Sequence, residues 1–133
     1  MSTRQDDQHE GRGLAGARIL VVEDEYYLAE DLAHALQAAG AQVVGPIGSL
    51  GQAEGPFLAG GLDGAVLDMN LRGEHAFALA ERLQAADVPF VIVSGYSAEA
   101  LPDALGAVPR LEKPVDARRT VEALVAAIAR RTH

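Results

Sequence analysis

Three carboxylates, one hydroxyl and the only lysine of the chain stand just after short apolar runs of the sequence. Glu23 and Asp24 follow the first run, Asp68 the third and Ser94 the fourth, and Lys113 comes shortly after the fifth. If these runs are parallel strands of one sheet, their carboxyl ends meet at the same edge, where such sheets bind ligands. The sequence therefore predicts that the five side chains converge there.

Three carboxylates in one place repel each other and resist joint ionisation. A divalent cation relieves this repulsion, and oxygen ligands favour Mg²⁺, which keeps several of its waters. A lysine opposite adds a second positive charge, so that Mg²⁺, an ammonium group and a small hydroxyl could together hold a phosphoryl group. Asp68, the central carboxylate, is then the natural nucleophile for forming an acyl phosphate.

The apolar runs predict the elements that must position these residues. Most of the runs are continuously apolar rather than alternating, which is typical of strands buried on both faces of a parallel sheet. The five predicted strands are Arg18–Val22, Gln42–Val44, Gly64–Leu67, Pro89–Val93 and Ala107–Leu111.

Amphipathic stretches between the runs predict helices of unequal quality. Tyr26–Ala39, Glu74–Ala86 and Ala117–Arg131 have clear apolar faces, the last with Asp116 as its cap. A second helix after Ser49 is weaker because glycines and a proline interrupt it. A fourth helix, near 97–105, is weak or irregular because it contains a proline. The expected fold is α/β and flavodoxin-like, a doubly wound five-stranded parallel sheet in the order 2-1-3-4-5.

Length and composition limit the classes of protein that fit. The 133 residues suffice for one domain, with residues 1–16 as a disordered tail and 17–131 as the folded unit. A net charge of −8 argues against nucleic acid as a partner. The absence of cysteine excludes disulfides and thiolate sites. No apolar run reaches a membrane-spanning length and the N-terminus lacks a signal peptide, so we expect a cytoplasmic protein without a membrane partner.

Over residues 17–131 the chain resembles the receiver domains of two-component response regulators. Each of the four motifs behind this resemblance is only modestly specific, but their order and spacing together are strong evidence. The motifs are ILVVEDE at 19–25, AVLDMNL at 65–71, VIVSG at 91–95 and LEKP at 111–114.

The resemblance implies roles for the carboxylates. Asp68 would accept a phosphoryl group from a sensor histidine kinase or a histidine phosphotransfer protein. Glu23 and Asp24 would hold Mg²⁺ together with Asp68, and Asn70 would contribute its backbone carbonyl.

The resemblance also implies roles at the two remaining strand ends. Ser94 would be the switch hydroxyl that turns toward the phosphoryl oxygen. Lys113 would contact the phosphoryl group directly. The bond to the proline that follows, Pro114, is usually cis in this family.

A narrower resemblance to the FAT GUY receivers is partial. VPFVIVSGY at 88–96 and VVGP at 43–46 are similar to patterns of that subfamily, although Ser94 replaces a threonine. Most receivers carry an aromatic switch residue three positions before the lysine, where this chain has Arg110. Tyr96 is our candidate replacement and should change environment on phosphorylation.

The sequence thus predicts a single-domain response regulator whose phosphorylated form signals by protein contact or onward phosphotransfer. It would catalyse at most its own phosphorylation and dephosphorylation. One alternative is a receiver-like binding module that works without phosphorylation, which only Arg110 supports. Another is a small phosphatase with an aspartyl-phosphate intermediate. That enzyme would need a second acid two residues after the nucleophile, where this chain has Asn70.

Overall fold

A computed structural model describes residues 13–71, 74–95 and 103–131. Its core is a five-stranded parallel sheet in the order β2-β1-β3-β4-β5, which confirms the predicted order 2-1-3-4-5. The strands are β1 (Arg18–Val22), β2 (Gln42–Ile47), β3 (Gly64–Asp68), β4 (Phe90–Ser94) and β5 (Arg110–Glu112).

Helices cover both faces of the sheet, as expected of a doubly wound α/β fold. One apolar layer joins the sheet to α1 and α4, and the other joins it to α2 and α3. The helices are α1 (Tyr26–Ala38), α2 (Leu50–Ala59), α3 (Phe77–Ala85) and α4 (Ala117–Arg131). None of the helices in the described part of the chain is long and apolar enough to cross a membrane.

Side chains cap the N-termini of two helices, and the predicted cap at Asp116 is confirmed. The hydroxyl of Ser49 accepts a hydrogen bond from the backbone N–H of Gln52 at the start of α2. The carboxylate of Asp116 accepts one from the backbone N–H of Arg119, at 2.8 Å, at the start of α4. Both satisfy N–H groups that have no partner within the helix.

The prediction of a helix from Glu74 is wrong at its start. Residues Glu74–His75 pair with Asn70–Leu71 in a short antiparallel ribbon, and α3 begins only at Phe77. The N–H of Ala76 donates to the carbonyl of Met69, so backbone pairing across the loop replaces the first helical turn. In the weak fourth-helix region the described residues 103–105 form a 3₁₀ helix, while 97–102 lie outside the described residues.

The predicted boundary of the N-terminal tail is also wrong. Leu14 is 2% exposed and belongs to the core between the sheet and α1 and α4. Its N–H donates to the carbonyl of Ala39, and the N–H of Gly16 donates to that of Gly40. The folded unit therefore begins at least three residues before Ala17, while residues 1–12 lie outside the described residues.

A bulge in β2 sets the position of the first carboxylate. Leu20 pairs with Val44 but Val22 pairs with Ile47, so β2 carries one extra residue over this interval. The bulge allows the carbonyl of Ile47 to accept the N–H of Glu23 at 2.9 Å. Only glycine suits position 45 of this bulge. Its φ is +107°, which other residues rarely adopt, and a Cβ there would lie 2.9 Å from the carbonyl oxygen of Val21.

We expect Gly45→Ala to lower the free energy of unfolding by at least about 2 kcal/mol, because the new methyl group adds a backbone clash to an unfavourable φ. Gly51→Ala is the matched control. A Cβ at that exposed position in the first turn of α2 would meet no atom within 4 Å, and alanine favours the helix by up to about 1 kcal/mol. Urea unfolding of both variants would measure the two effects. A Gly45→Ala protein as stable as Gly51→Ala would contradict this account of the bulge.

Candidate functional site

The carboxyl ends of the strands bring the predicted acidic residues together. Glu23 and Asp24 directly follow β1, and Asp68 is the last residue of β3. One carboxylate oxygen from each of the three lies within 4.8 Å of the other two. Glu23 and Asp68 are buried, whereas Asp24 is half-buried at the rim.

Lys113 provides the opposing charge. Its Nζ lies 3.1 Å from Oδ2 of Asp68 and 3.3 Å from Oε1 of Glu23. Its backbone N–H donates to the carbonyl of Ser94, so a hydrogen bond to the end of β4 fixes the position of the lysine directly after β5. One ammonium group therefore bridges two buried carboxylates that come from separate strands.

Backbone N–H groups orient the same two carboxylates. The N–H of Glu25 donates to Oε2 of Glu23 at 3.0 Å, and the N–H of Asn70 donates to Oδ1 of Asp68 at 3.2 Å. These two donors come from the turns that follow β1 and β3. Sequence reasoning did not identify them, because every residue except proline carries an N–H and its direction depends on the turn.

Burial dominates the electrostatics of the site. It raises the pKa of Glu23 to about 7, even though the N–H of Glu25 and the charge of Lys113 act in the opposite direction. The nearby charge of Asp68 raises this pKa further. For Lys113, burial lowers the pKa, but attraction to Glu23 and Asp68 outweighs it, so the pKa lies above its usual value.

The donor set fits a hard divalent cation. Three carboxylates face one ammonium group, so the negative charge is only partly balanced. Carboxylate oxygens that converge within this distance are ligands of the kind that Mg²⁺ and Ca²⁺ accept. Glu23, Asp24 and Asp68 are therefore the residues that could hold such an ion.

The hydroxyl of Ser94 stands out among the buried polar groups. Ser94 is 4% exposed, and its Oγ has no hydrogen-bond partner in the described part of the chain. Among the described residues it is the only buried side-chain polar atom in that condition. A buried hydroxyl without a partner is costly, and such a group in a native structure calls for an explanation.

The remaining predicted site residues are Arg110, Tyr96 and Asn70, none of which contributes a carboxylate to the cluster. Arg110 begins β5, where it is exposed and pairs in register with Ile92. Tyr96 lies outside the described residues. Asn70 belongs to the short ribbon after β3, and the bond between Lys113 and Pro114 is cis, as the resemblance implied.

No family model and no curated protein matches the chain. Among solved structures, SdrG from Sphingomonas melonis Fr1 is 35% identical, with a TM-score of 0.74 over 86% of this chain and 97% of that one. The BeF3-activated conformation of SdrG, from Pseudomonas melonis Fr1, is 36% identical over the same shares, with a TM-score of 0.68.

A response regulator receiver protein from Sinorhizobium medicae WSM419 is also similar. It is 25% identical, with a TM-score of 0.71 over 87% of this chain and 97% of that one. The match to SdrG spans nearly the whole of that protein's chain, and the fold and the strand order are those of receivers. The chain belongs to the family of response regulator receiver domains.

Proposed function

We propose that this receiver is phosphorylated on Asp68 by a phosphohistidine donor, either a sensor histidine kinase or a histidine phosphotransfer protein. The observation that carries the proposal is the contact of 3.1 Å between Lys113 Nζ and Asp68 Oδ2, within a buried cluster of carboxylates. The protein would act in the cytoplasm and catalyse at most its own phosphorylation and dephosphorylation.

In the proposed reaction a carboxylate oxygen of Asp68 attacks the phosphorus of the phosphohistidine. A P–O bond forms as the P–N bond breaks, and the imidazole leaves with the electron pair of that bond. The ammonium group of Lys113 is already in place to balance charge on the phosphoryl oxygens. The N–H of Asn70 holds the other oxygen of Asp68 and so fixes the orientation of the carboxylate.

Mg²⁺ is the cofactor that we propose for this reaction. Glu23, Asp24, Asp68 and the backbone carbonyl of Asn70 would hold it. The carboxylate cluster supports the three acidic ligands, and the resemblance to receivers implies the carbonyl. When bound, Mg²⁺ supplies positive charge that offsets the charge of the phosphoryl group.

Ser94 would connect phosphorylation to a change of conformation. Its buried hydroxyl has no partner in the present structure and would gain one by donating to a phosphoryl oxygen. That bond exists only in the phosphorylated protein, so it shifts the population toward the conformer in which it forms. The phosphorylated conformer would signal by contact with a target protein or pass the phosphoryl group onward.

Incubation with acetyl phosphate and Mg²⁺ should add one phosphoryl group to the wild-type chain and none to Asp68→Asn, because the amide cannot act as the nucleophile. Intact-protein mass spectrometry would measure the addition. Asp87→Asn is the matched control, since Asp87 is exposed at the end of α3, and it should be modified like the wild type. If neither acetyl phosphate nor a histidine kinase modifies the wild type, the phosphorylation-independent binding module is favoured instead.

Ser94→Ala should raise the free energy of unfolding of the unphosphorylated protein by about 1 kcal/mol, because it removes a buried hydroxyl without a partner. It should also reduce the additional stability gained on adding beryllofluoride and Mg²⁺, which take the place of the phosphoryl group and its ion. Urea unfolding with and without these additives would measure both effects.

Thr120→Val is the control for the hydroxyl argument. Thr120 is equally buried, but its hydroxyl donates to the carbonyl of Asp116, so this variant should be destabilised. If Ser94→Ala proves less stable than the wild type, or gains as much from beryllofluoride, the proposed role of Ser94 is wrong.

In EDTA, the stability of the wild type should fall as pH rises from about 5 to about 7. The pKa of Glu23 is raised from 4.5 to about 7 by folding, so the folded state binds more protons than the unfolded state in this window. Glu23→Gln should remove this contribution and be more stable than the wild type at pH 8.

Urea unfolding at several pH values would measure this dependence, with Glu122→Gln as the control at an exposed position on α4. That control should keep the wild-type pH dependence. Equal slopes for Glu23→Gln and the wild type would show that Glu23 does not titrate in this range.

A further inference from the structure

A cleft of about 310 Å³ lies between α1 and the start of α4, beside the acidic cluster. We call it the α1–α4 cleft. Its floor is formed by Val66 and Val93 of the sheet, and Leu28 and Leu32 of α1 form one wall. On the other side lies Ala117, the first residue of α4, whose small side chain leaves room there.

The interior of the α1–α4 cleft is therefore largely apolar. Its volume is near the lower end of what small-molecule sites in proteins occupy, so it suits a ligand about the size of one aromatic ring with a short substituent. Transfer of such a ring from water onto the valine and leucine side chains is favourable in proportion to the apolar area removed from water.

The charged groups that line the α1–α4 cleft favour a cation. The lining carries one ammonium group, that of Lys113, three carboxylates, those of Glu23, Asp31 and Asp116, and the imidazole of His34. The ammonium group already bridges Glu23 and Asp68, so it offers little charge to an anionic ligand. The carboxylates of Asp31 and Asp116 remain to attract a cation.

Asp31 is the carboxylate best placed to meet a ligand. It is exposed at the mouth of the α1–α4 cleft, and none of the described residues forms an ion pair with it. Asp116, in contrast, already accepts the N–H of Arg119 in the cap of α4. An apolar interior with an unpaired carboxylate at its mouth matches a ligand that has an apolar body and a positively charged end.

We propose that the α1–α4 cleft binds small organic monocations with an apolar body, such as aromatic amidines and amines, with the charged end at Asp31. This site adjoins the proposed phosphoryl site and takes a different class of ligand. Glu23 and Lys113 line both, so a bound cation would lie directly beside the acidic cluster. Binding requires neither Mg²⁺ nor phosphorylation, so its test is independent of the proposed function.

The test is a titration of the full chain with benzamidine, in EDTA and without a phosphodonor, followed by NMR of the methyl groups. We expect saturable shifts at Leu32 and Val93. Benzamide, which has the same shape and no charge, should bind about two- to fivefold more weakly, as expected for one partly exposed charge pair. Benzoate should give no saturable shift.

Two variants locate the site. Asp31→Asn should weaken benzamidine to the level of benzamide and leave benzamide itself unchanged, and it should fold normally because Asp31 is exposed. Ala117→Leu should abolish binding of both ligands by filling the cleft. Ala126→Leu, on the exposed side of the same helix, is its matched control and should bind like the wild type.

Three results would overturn the proposal. They are the absence of a saturable shift at Leu32 and Val93, equal affinities for benzamidine and benzamide in the wild type, and wild-type binding by Ala117→Leu. Benzamidine affinity that is unchanged in Asp31→Asn would likewise refute the assigned position of the charged end.

Discussion

The structure depends on holding two buried carboxylates, Glu23 and Asp68, against their mutual repulsion. One ammonium group, that of Lys113, lies within 3.3 Å of both, and single backbone N–H groups bind each carboxylate from the other side. The free energy needed to remove carboxylates from water often exceeds the favourable free energy of their contacts with such partners. The ends of β1, β3 and β5 must therefore meet within a few ångströms, and the strand order of the sheet is what allows it.

The negative charge and the buried hydroxyl group of this site are only partly compensated. Three carboxylates face one lysine, burial raises the pKa of Glu23 to about 7, and the hydroxyl of Ser94 has no partner among the described residues. Each of these costs stability, and each is relieved by a different addition: a divalent cation, a proton or an acceptor oxygen. A site with such properties responds to what binds it, because every relieving group favours the conformer that receives it.

The sequence alone predicted the five strands, their order and the convergence of the acidic residues with Lys113, although β2 extends three residues beyond its predicted end and β5 begins three residues after its predicted start. It could do so because strands buried on both faces leave continuous apolar runs, and the residue after each run marks a strand end. The burial of Leu14, the ribbon before α3 and the bulge at Gly45 were not predicted. All three depend on backbone pairing between segments that are distant or joined by a loop, and side-chain patterns carry little information about such pairing.

The acidic cluster is anchored unequally on its two sides. Asp68 ends the central strand β3, between two fully paired neighbours, whereas Glu23 is held by the bulge of the edge strand β2. Glu23 also lines the α1–α4 cleft, which Asp68 does not. Central strands open less readily than edges, so Asp68 is the fixed part of the site and the Glu23 side is the adaptable part. In the proposed reaction, ligands, protons and strain in β2 would therefore act on Asp68 through Glu23 and through Lys113, which contacts both carboxylates.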